Sequence, residues 1–455
     1  MNNSKSVVND RVQPDDRYKG VLSELQIELK TPCEEYPSFG MDEHYYLTIS
    51  KTSKLESNSI WGVIRGLETF AQLFYLSDDY NVIRINTTDI TDFPTYPHRG
   101  LLLDTSRHYI NVNNILKTLD AMAMNKMNVF HWHIVDDQSF PYQSEKFPEL
   151  SEKGAYHSSM VYTKADIQRI IQYARFRGIR VVPEFDVPGH TRSWGVAYPN
   201  ILTQCYDYER KNVVDLGPIN PLSDVALKLL KDFFEEVQEL FPDKFLHVGG
   251  DEVNLNCWNS NPELVKYMKD NNVTAEGLHA LFMGNVFPLL SYNKTSIVWQ
   301  EVFDEYVPLS KETVIQVWKS LPAIEMIKVL LAGHRVLFSS EWYLSVLKNE
   351  WWDYYTYNPR QMVYDVTSDE TLLPNIVGGE ACMWGEMVDD RNVISRVWPR
   401  ACAIAEKLWN SVLDRDRRVS AAPAEAYNRL EEHVCRMLRR GVDAQPPSGP
   451  GFCVL

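Results

Sequence analysis

Phe245-Leu246-His247-Val248-Gly249-Gly250-Asp251-Glu252 is a short apolar run that stops at two glycines and then presents two carboxylates. A run this short, closed by glycine, reads as a strand buried on both faces. Seven further runs of the same kind surround it: Gly100–Asp104, Asn128–Ile134, Ile179–Phe185, Ser296–Gln300, Val314–Val317, Val336–Ser339 and Ile376–Met383. Helix-period stretches separate them, among them Asn114–Met124, Lys164–Phe176, Leu222–Leu240 and Ala323–Leu331, the last behind Pro322, a residue suited to a first helical turn. Buried strands alternating with helices predict an α/β protein with a (β/α)8 TIM barrel.

Outward from the barrel, residues 1–94 hold short alternating runs such as Tyr45–Ile49 and a helix-like segment, Gly62–Tyr75. Asp92-Phe93-Pro94-Thr95-Tyr96-Pro97 breaks regular structure, and the boundary is drawn there. The expected organisation is a smaller α+β N-terminal domain over 1–94, then a catalytic barrel over 95–455 with a C-terminal helix and a Pro/Gly-rich tail, 445–451.

The 455 residues, 44% of them hydrophobic and 12% aromatic, are enough for a sizeable core. A formal charge of −15 argues against nucleic acid or an anionic membrane as the main partner. No stretch approaches the roughly 20 apolar residues of a membrane span. The opening MNNSKSVVNDR lacks the apolar core of a secretory signal. Sequons at Asn2, Asn86, Asn272 and Asn293 point the other way, towards a glycosylated protein. Seven cysteines with no CxxC pair make a zinc cluster a poor expectation, and the odd count leaves at least one thiol unpaired.

The residue types at the strands' C-terminal ends carry the chemistry. They include Arg107 after the first strand, Asp136 after the second, Asp186 and His190 after the third, and Asp251-Glu252 after the fourth. Trp299, Trp318, Trp384 and Glu386 follow on later strands. Barrel enzymes place their chemistry on this rim. An Asp-Glu pair is ordinarily solvated surface, but after a buried strand and two glycines it faces a ligand. His190, Asp186 and Asp136 are the candidates to tune Glu252. His190 after Pro-Gly is alternatively a structural turn residue. His131 and His133 flank Trp132 without a matched third ligand, so they are expected to support the rim and no metal or other cofactor is expected. Three tryptophans on one rim suit the C–H face of a pyranose, with Arg107 a rigid donor fork for ring hydroxyls.

The segments His98–Arg107, Asn128–Asp137, Pro183–His190, His247–Glu252 and Gly378–Glu386 resemble the animal lysosomal β-hexosaminidases of glycoside hydrolase family 20. The likeness runs in order from about residue 31 to Cys453. It implies a retaining β-N-acetylhexosaminidase in which the substrate's own 2-acetamido oxygen attacks the anomeric carbon. By that resemblance Glu252 is the acid and base, and Asp251, helped by Tyr343, orients the acetamido group. Arg107 and Glu386 hold hydroxyls, Trp299, Trp318 and Trp384 wall the pocket, and Asp136 with His190 supports Glu252. The resemblance further implies terminal β-linked 2-acetamido sugars on glycans, glycolipids or glycosaminoglycans as substrates, a homo- or heterodimer, lysosomal residence, and disulfides Cys205–Cys257 and Cys435–Cys453. Glycans are expected on Asn86, Asn272 and Asn293.

Two departures stand out. Cys33 matches half of a third family disulfide whose partner would lie upstream of Met1, so the chain is expected to start inside the family's usual N-terminal domain. Ser345-Val346, just past Tyr343, matches neither animal subunit type, and charge preference is not legible there. Two other readings stay open: a catalytically silent carbohydrate-binding or subunit protein, and a metal-dependent barrel hydrolase.

Overall fold

The computed structural model describes residues 20–77, 82–291, 293–411, 413 and 422–453; the Asn2 sequon lies outside them. Eight parallel strands close into a barrel: His98–Asp104, Val129–His133, Arg180–Glu184, Phe245–His247, Thr295–Trp299, Val314–Val317, Arg335–Phe338 and Ile376–Met383, the eighth pairing with the first. The α/β barrel read from the sequence is therefore the fold. Its helices form where apolar spacing and caps agree. In Lys164–Arg175, Ile167, Ile170, Ile171 and Ala174 make one buried stripe, and Thr163 with Asp166 forms a capping box. Asp224–Leu240 starts two residues later than its apolar pattern suggests, because Ser223 takes the N-cap.

The barrel interior is layered. Val129, Val182, Phe245, Ile297, Val314, Leu337 and Val377 fill the lower layer, with Phe39 packed against it. Two residues further along the strands come His131, Glu184, His247, Trp299 and Gln316, all buried. Gly100 leaves room for the Glu380 side chain, which a Cβ there would meet at 2.5 Å.

Below the barrel sits a four-stranded sheet in the order Leu25–Leu29, Ser53–Ser57, Tyr45–Ile49, Thr88–Asp92, with helix Ile60–Gln72. That helix ends short of the predicted Tyr75, because Tyr75–Leu76 pairs with Ile83–Arg84 instead. Sheet and barrel are joined by buried ion pairs. Glu43 Oε1 accepts from Arg65 Nε at 2.8 Å and from Arg99 Nη2 at 2.5 Å. Arg65 also donates to the carbonyls of Arg177 and Gly178. Trp409, at the end of helix Arg400–Trp409, packs into the sheet's own core with Tyr45, Leu47, Ile49, Leu55 and Val63, and its indole donates to Asp92 at 2.9 Å.

Candidate active site

Asp251 and Glu252 leave the fourth strand through Gly249 and Gly250. Gly249 has φ +66°, and a Cβ there would lie 1.7 Å from Asp186 Oδ1. That closeness lets the Gly250 amide donate to Asp186 Oδ1 at 2.7 Å. The two carboxylates then separate. The Asp251 side chain is 13% exposed and hydrogen-bonds the Asp186 carboxyl. Glu252, at φ +48°, turns outward with 60% of its side chain exposed. Both lie 3.7 Å from His190 Nε2. His190 is itself held at φ +54°; two non-glycine residues in left-handed backbone at one rim mark strain at a site.

His190 Nδ1 meets Asp136 Oδ1 at 3.1 Å, and Asp136 Oδ2 meets His133 Nε2 and Arg107 Nη2, both at 2.8 Å. Burial opposes charge on His190, but Asp251 and then Asp136 outweigh it and push its pKa up to about 9. Asp186 goes the other way: burial first, then the neighbouring Asp251 charge, raises its carboxyl well above the usual range. Asp186 is thus the protonated member beside Asp251. For Asp136 burial is overcome by hydrogen bonds from His133 and His190, which hold its carboxyl far below the usual range.

From Asp136 a row of hydrogen bonds descends into the barrel. His133 Nδ1 meets Glu184 Oε2 at 2.6 Å, and His131 joins Glu184 at 3.0 Å to Glu380 at 2.7 Å. Glu380 then meets His98 Nε2 at 2.7 Å. His131 and His133 do stand behind the rim, but Glu184, Glu380, His98, His247 and Gln316 were not singled out in the sequence. Their signal was present: they continue the inward-facing alternation of Val129, His131 and His133.

The aromatic residues assemble into one cage. Trp299 stands 5.9 Å from Trp384, Trp384 stands 6.3 Å from Tyr343, and Tyr343 stacks on Trp318 at 6.3 Å and 25°. Trp299 is the floor: it is 1% exposed and its indole donates to Glu184 at 2.7 Å. Arg107 lies over Trp384 at 5.0 Å, with Nη1 on Asp104 at 3.2 Å and Nη2 on Asp136. Glu386 is exposed beside it, and its charge acts on the guanidinium. Ser345 is half-buried and Val346 exposed, one turn beyond Tyr343.

Three groups of side chains converge closely enough to ligate a cation: His131 with Glu184 and His247; Asp136 with Asp137 and His190; and Asp186 with His190 and Asp251. In the first, His131 Nε2 hydrogen-bonds Glu184 at 3.0 Å, while His247 Nδ1, 3.2 Å from Glu184, already accepts the Gly249 N–H at 3.0 Å. Cys205–Cys257 ties the hairpin Leu202–Tyr206 and Val213–Ile219 to helix Leu255–Ser260, which follows Glu252 closely. Cys435–Cys453 ties the tail to helix Ala422–Arg439, and Cys33 is exposed and free. Asn272 and Asn293 are exposed; Asn86 is half-buried and accepts from the Tyr75 hydroxyl at 2.8 Å.

Comparison with known proteins completes this picture. Residues 96–412 match the family described as "Glycosyl hydrolase family 20, catalytic domain", and residues 2–73 match "beta-acetyl hexosaminidase like". The chain is 47% identical over 436 residues to "Beta-hexosaminidase subunit beta" of Felis catus, covering 94% of this chain and 80% of that protein. It is 44% identical over 449 residues to "Beta-hexosaminidase subunit alpha" of Bos taurus, covering 96% and 82%. Among solved structures, the chitobiase of Flavobacterium johnsoniae superposes with a TM-score of 0.81 at 31% identity. That match covers 92% of this chain, which spans 63% of the bacterial chain's length. The chain belongs to glycosyl hydrolase family 20.

Proposed function

We propose that the rim hydrolyses terminal β-linked N-acetylglucosamine and N-acetylgalactosamine, with Glu252 and Asp251 in different roles. The chain is a retaining β-N-acetylhexosaminidase, and the observation that carries the assignment of roles is the divergence of its acid pair. Glu252 stands exposed at the mouth, where it gives its proton to the leaving oxygen. As that bond breaks, the sugar's acetamido oxygen closes on C1. Asp251, buried beside the aromatic cage, accepts the acetamido N–H and balances the positive charge that develops on the ring. Tyr343 donates its hydroxyl to the same group. Water, losing its proton to Glu252, then opens the ring and restores the original configuration.

Asp136 and His190 hold Glu252 in place, Arg107 and Glu386 take the 3- and 4-hydroxyls, and Trp299, Trp318 and Trp384 exclude water around the pyranose. Among the described residues no helix is long and apolar enough to cross a membrane. The similarity to alpha and beta subunits supports a dimer and lysosomal residence, and Asn86, Asn272 and Asn293 are the proposed glycan sites. Residues 1–94 and 95–455 are the proposed domains. The test compares chromogenic β-N-acetylglucosaminide with the β-glucoside that lacks the acetamido group. Turnover of the first alone is expected; equal turnover of both would overturn the substrate-assisted scheme.

A further inference from the structure

The hydroxyl end of the pocket is built across the seam where the barrel closes. Strand Ile376–Met383 pairs there with His98–Asp104, and Met383 stands opposite Leu103, so Asp104 and Gly385 leave the barrel side by side. The Asp104 side chain is fully buried, and four N–H groups converge on it. Its Oδ1 accepts from the Ser106 amide at 2.9 Å and the Arg107 amide at 3.2 Å. Its Oδ2 accepts from Arg107 Nη1 at 3.2 Å and from the Gly385 amide at 2.9 Å. Gly385 is gripped at its other end too, where its carbonyl accepts from His108 Nδ1 at 2.6 Å. A Cβ on Gly385 would lie 2.9 Å from Asp104 Oδ2 and 3.2 Å from Arg107 Cβ, so glycine is what lets the two loops approach this closely. A further stitch lies outward, where Asp390 Oδ1 accepts from the Asn111 amide and the Asn114 side chain, both at 2.8 Å. Arg107 and Glu386, read above as holding the 3- and 4-hydroxyls, stand on opposite sides of this seam.

We propose that Asp104 is a positioning residue for those hydroxyls: by holding Arg107 and Gly385 with one oxygen it fixes the spacing of Arg107 and Glu386, and with it how strongly the pocket reads the sugar's outer edge. His108 serves the same end from the carbonyl of Gly385. This rests on the reading of the pocket given above. All four partners of Asp104 are donors, which suits a carboxylate, a group that accepts without donating. An amide in its place would turn an NH2 toward the Arg107 and Gly385 donors or toward the two backbone amides. The guanidinium would keep Asp136 and the face of Trp384, but it would lose the oxygen it shares with Gly385. The acid pair leaves the fourth strand, across the barrel from the seam. A change at Asp104 therefore alters the reading of hydroxyls and leaves proton donation by Glu252 in place.

The test measures competitive inhibition by N-acetylglucosamine and by its 4-deoxy analogue against a chromogenic β-N-acetylglucosaminide. The parent protein is expected to bind the 4-deoxy sugar about 10–100-fold more weakly, the span of hydrogen bonds to charged groups. In Asp104→Asn the ratio should fall to about threefold or less, because the full sugar loses affinity that the deoxy sugar never had. His108→Phe, at an exposed position, should give an intermediate ratio. The drop in kcat/KM of Asp104→Asn should be equal for good and poor leaving groups. A side chain that merely supported the fold would weaken both sugars alike. An unchanged ratio in folded Asp104→Asn, or a drop that grows as the leaving group worsens, overturns the proposal alone. Should Asp104→Asn not fold, His108→Phe decides, and an unchanged ratio there overturns it. A parent protein that binds both sugars equally overturns the hydroxyl reading and this proposal together.

Discussion

At the floor of the barrel Glu43 is shared between Arg65 and Arg99, and Arg180 grips Asp243 with two bonds of 2.7 Å. At the rim the charges are matched less completely: the Asp186 carboxyl bonds to Asp251, and His190 Nε2 is buried with no hydrogen-bond partner, 3.9 Å from Asp186 and 3.7 Å from Asp251 and Glu252. An unmet buried polar atom costs about 1–3 kcal/mol, and the floor leaves one as well, Arg180 Nη1, so the contrast lies in what the charges are paired with. The floor has used its charges to join two parts of the chain. The rim has kept its charges available for a ligand. Barrels commonly divide stability and chemistry between their ends in this way.

The sharpest way to break that contrast is to show that the rim does no chemistry. Glu252→Gln should lower kcat/KM on substrates with poor leaving groups by about 10²–10⁴-fold, the span of general acid catalysis, with an unfolding midpoint close to that of the parent. Initial rates and thermal melts check both halves. The mirror experiment is Glu43→Gln. Breaking one member of a buried pair costs about 3–5 kcal/mol, so urea unfolding should shift strongly while kcat of the folded fraction stays unchanged. A floor variant that lost kcat would erase the distinction.

Two smaller effects concern pH. Asp186 has a carboxyl pKa raised well above 3.8 in the folded protein, so the fold holds its proton more tightly than the unfolded chain does. That contribution is present at acidic pH and erodes as pH rises above 3.8. Asp186→Asn, which cannot ionise, should therefore gain stability relative to the parent as pH rises, measured by urea unfolding at several pH values. The opposite trend would show that Asp186 is the anion of the pair. His190 works in the reverse sense to an ordinary salt-bridged carboxylate. Its pKa is raised from 6.5 to about 9, so its stabilisation is complete below 6.5 and is lost as pH rises through 9. The difference in unfolding free energy between the parent and His190→Gln should shrink over that window, and a flat difference would mean His190 is uncharged.

The rim was legible in the sequence because strand ends concentrate it. Each of Arg107, Asp136, His190, Asp251, Trp299, Trp318 and Trp384 directly follows or closes an apolar run, and the barrel then brings them to one side. What a search for apolar runs passes over is the barrel's polar interior. An apolar-run criterion treats strand interiors as oil, so Glu184 and Glu380 read as interruptions, although they sit where the layer above Val182 and Ile297 needs partners for histidines. Arg107 reads as a free fork; only the fold shows two of its nitrogens already committed to Asp104 and Asp136. The N-terminal sheet was half visible: Tyr45–Ile49 alternates cleanly, whereas the parallel pairing of Leu25–Leu29 with Ser53–Ser57 leaves no local trace.

Trp409 gives the molecule a timetable. The N-terminal sheet is translated first, yet the tryptophan that completes its core, and that bonds to Asp92, comes 317 residues later. At about 5–20 residues per second, synthesis of that interval takes roughly 15–60 s. Throughout it the sheet has helix Ile60–Gln72 to pack on it, but not the indole that completes its core against the barrel.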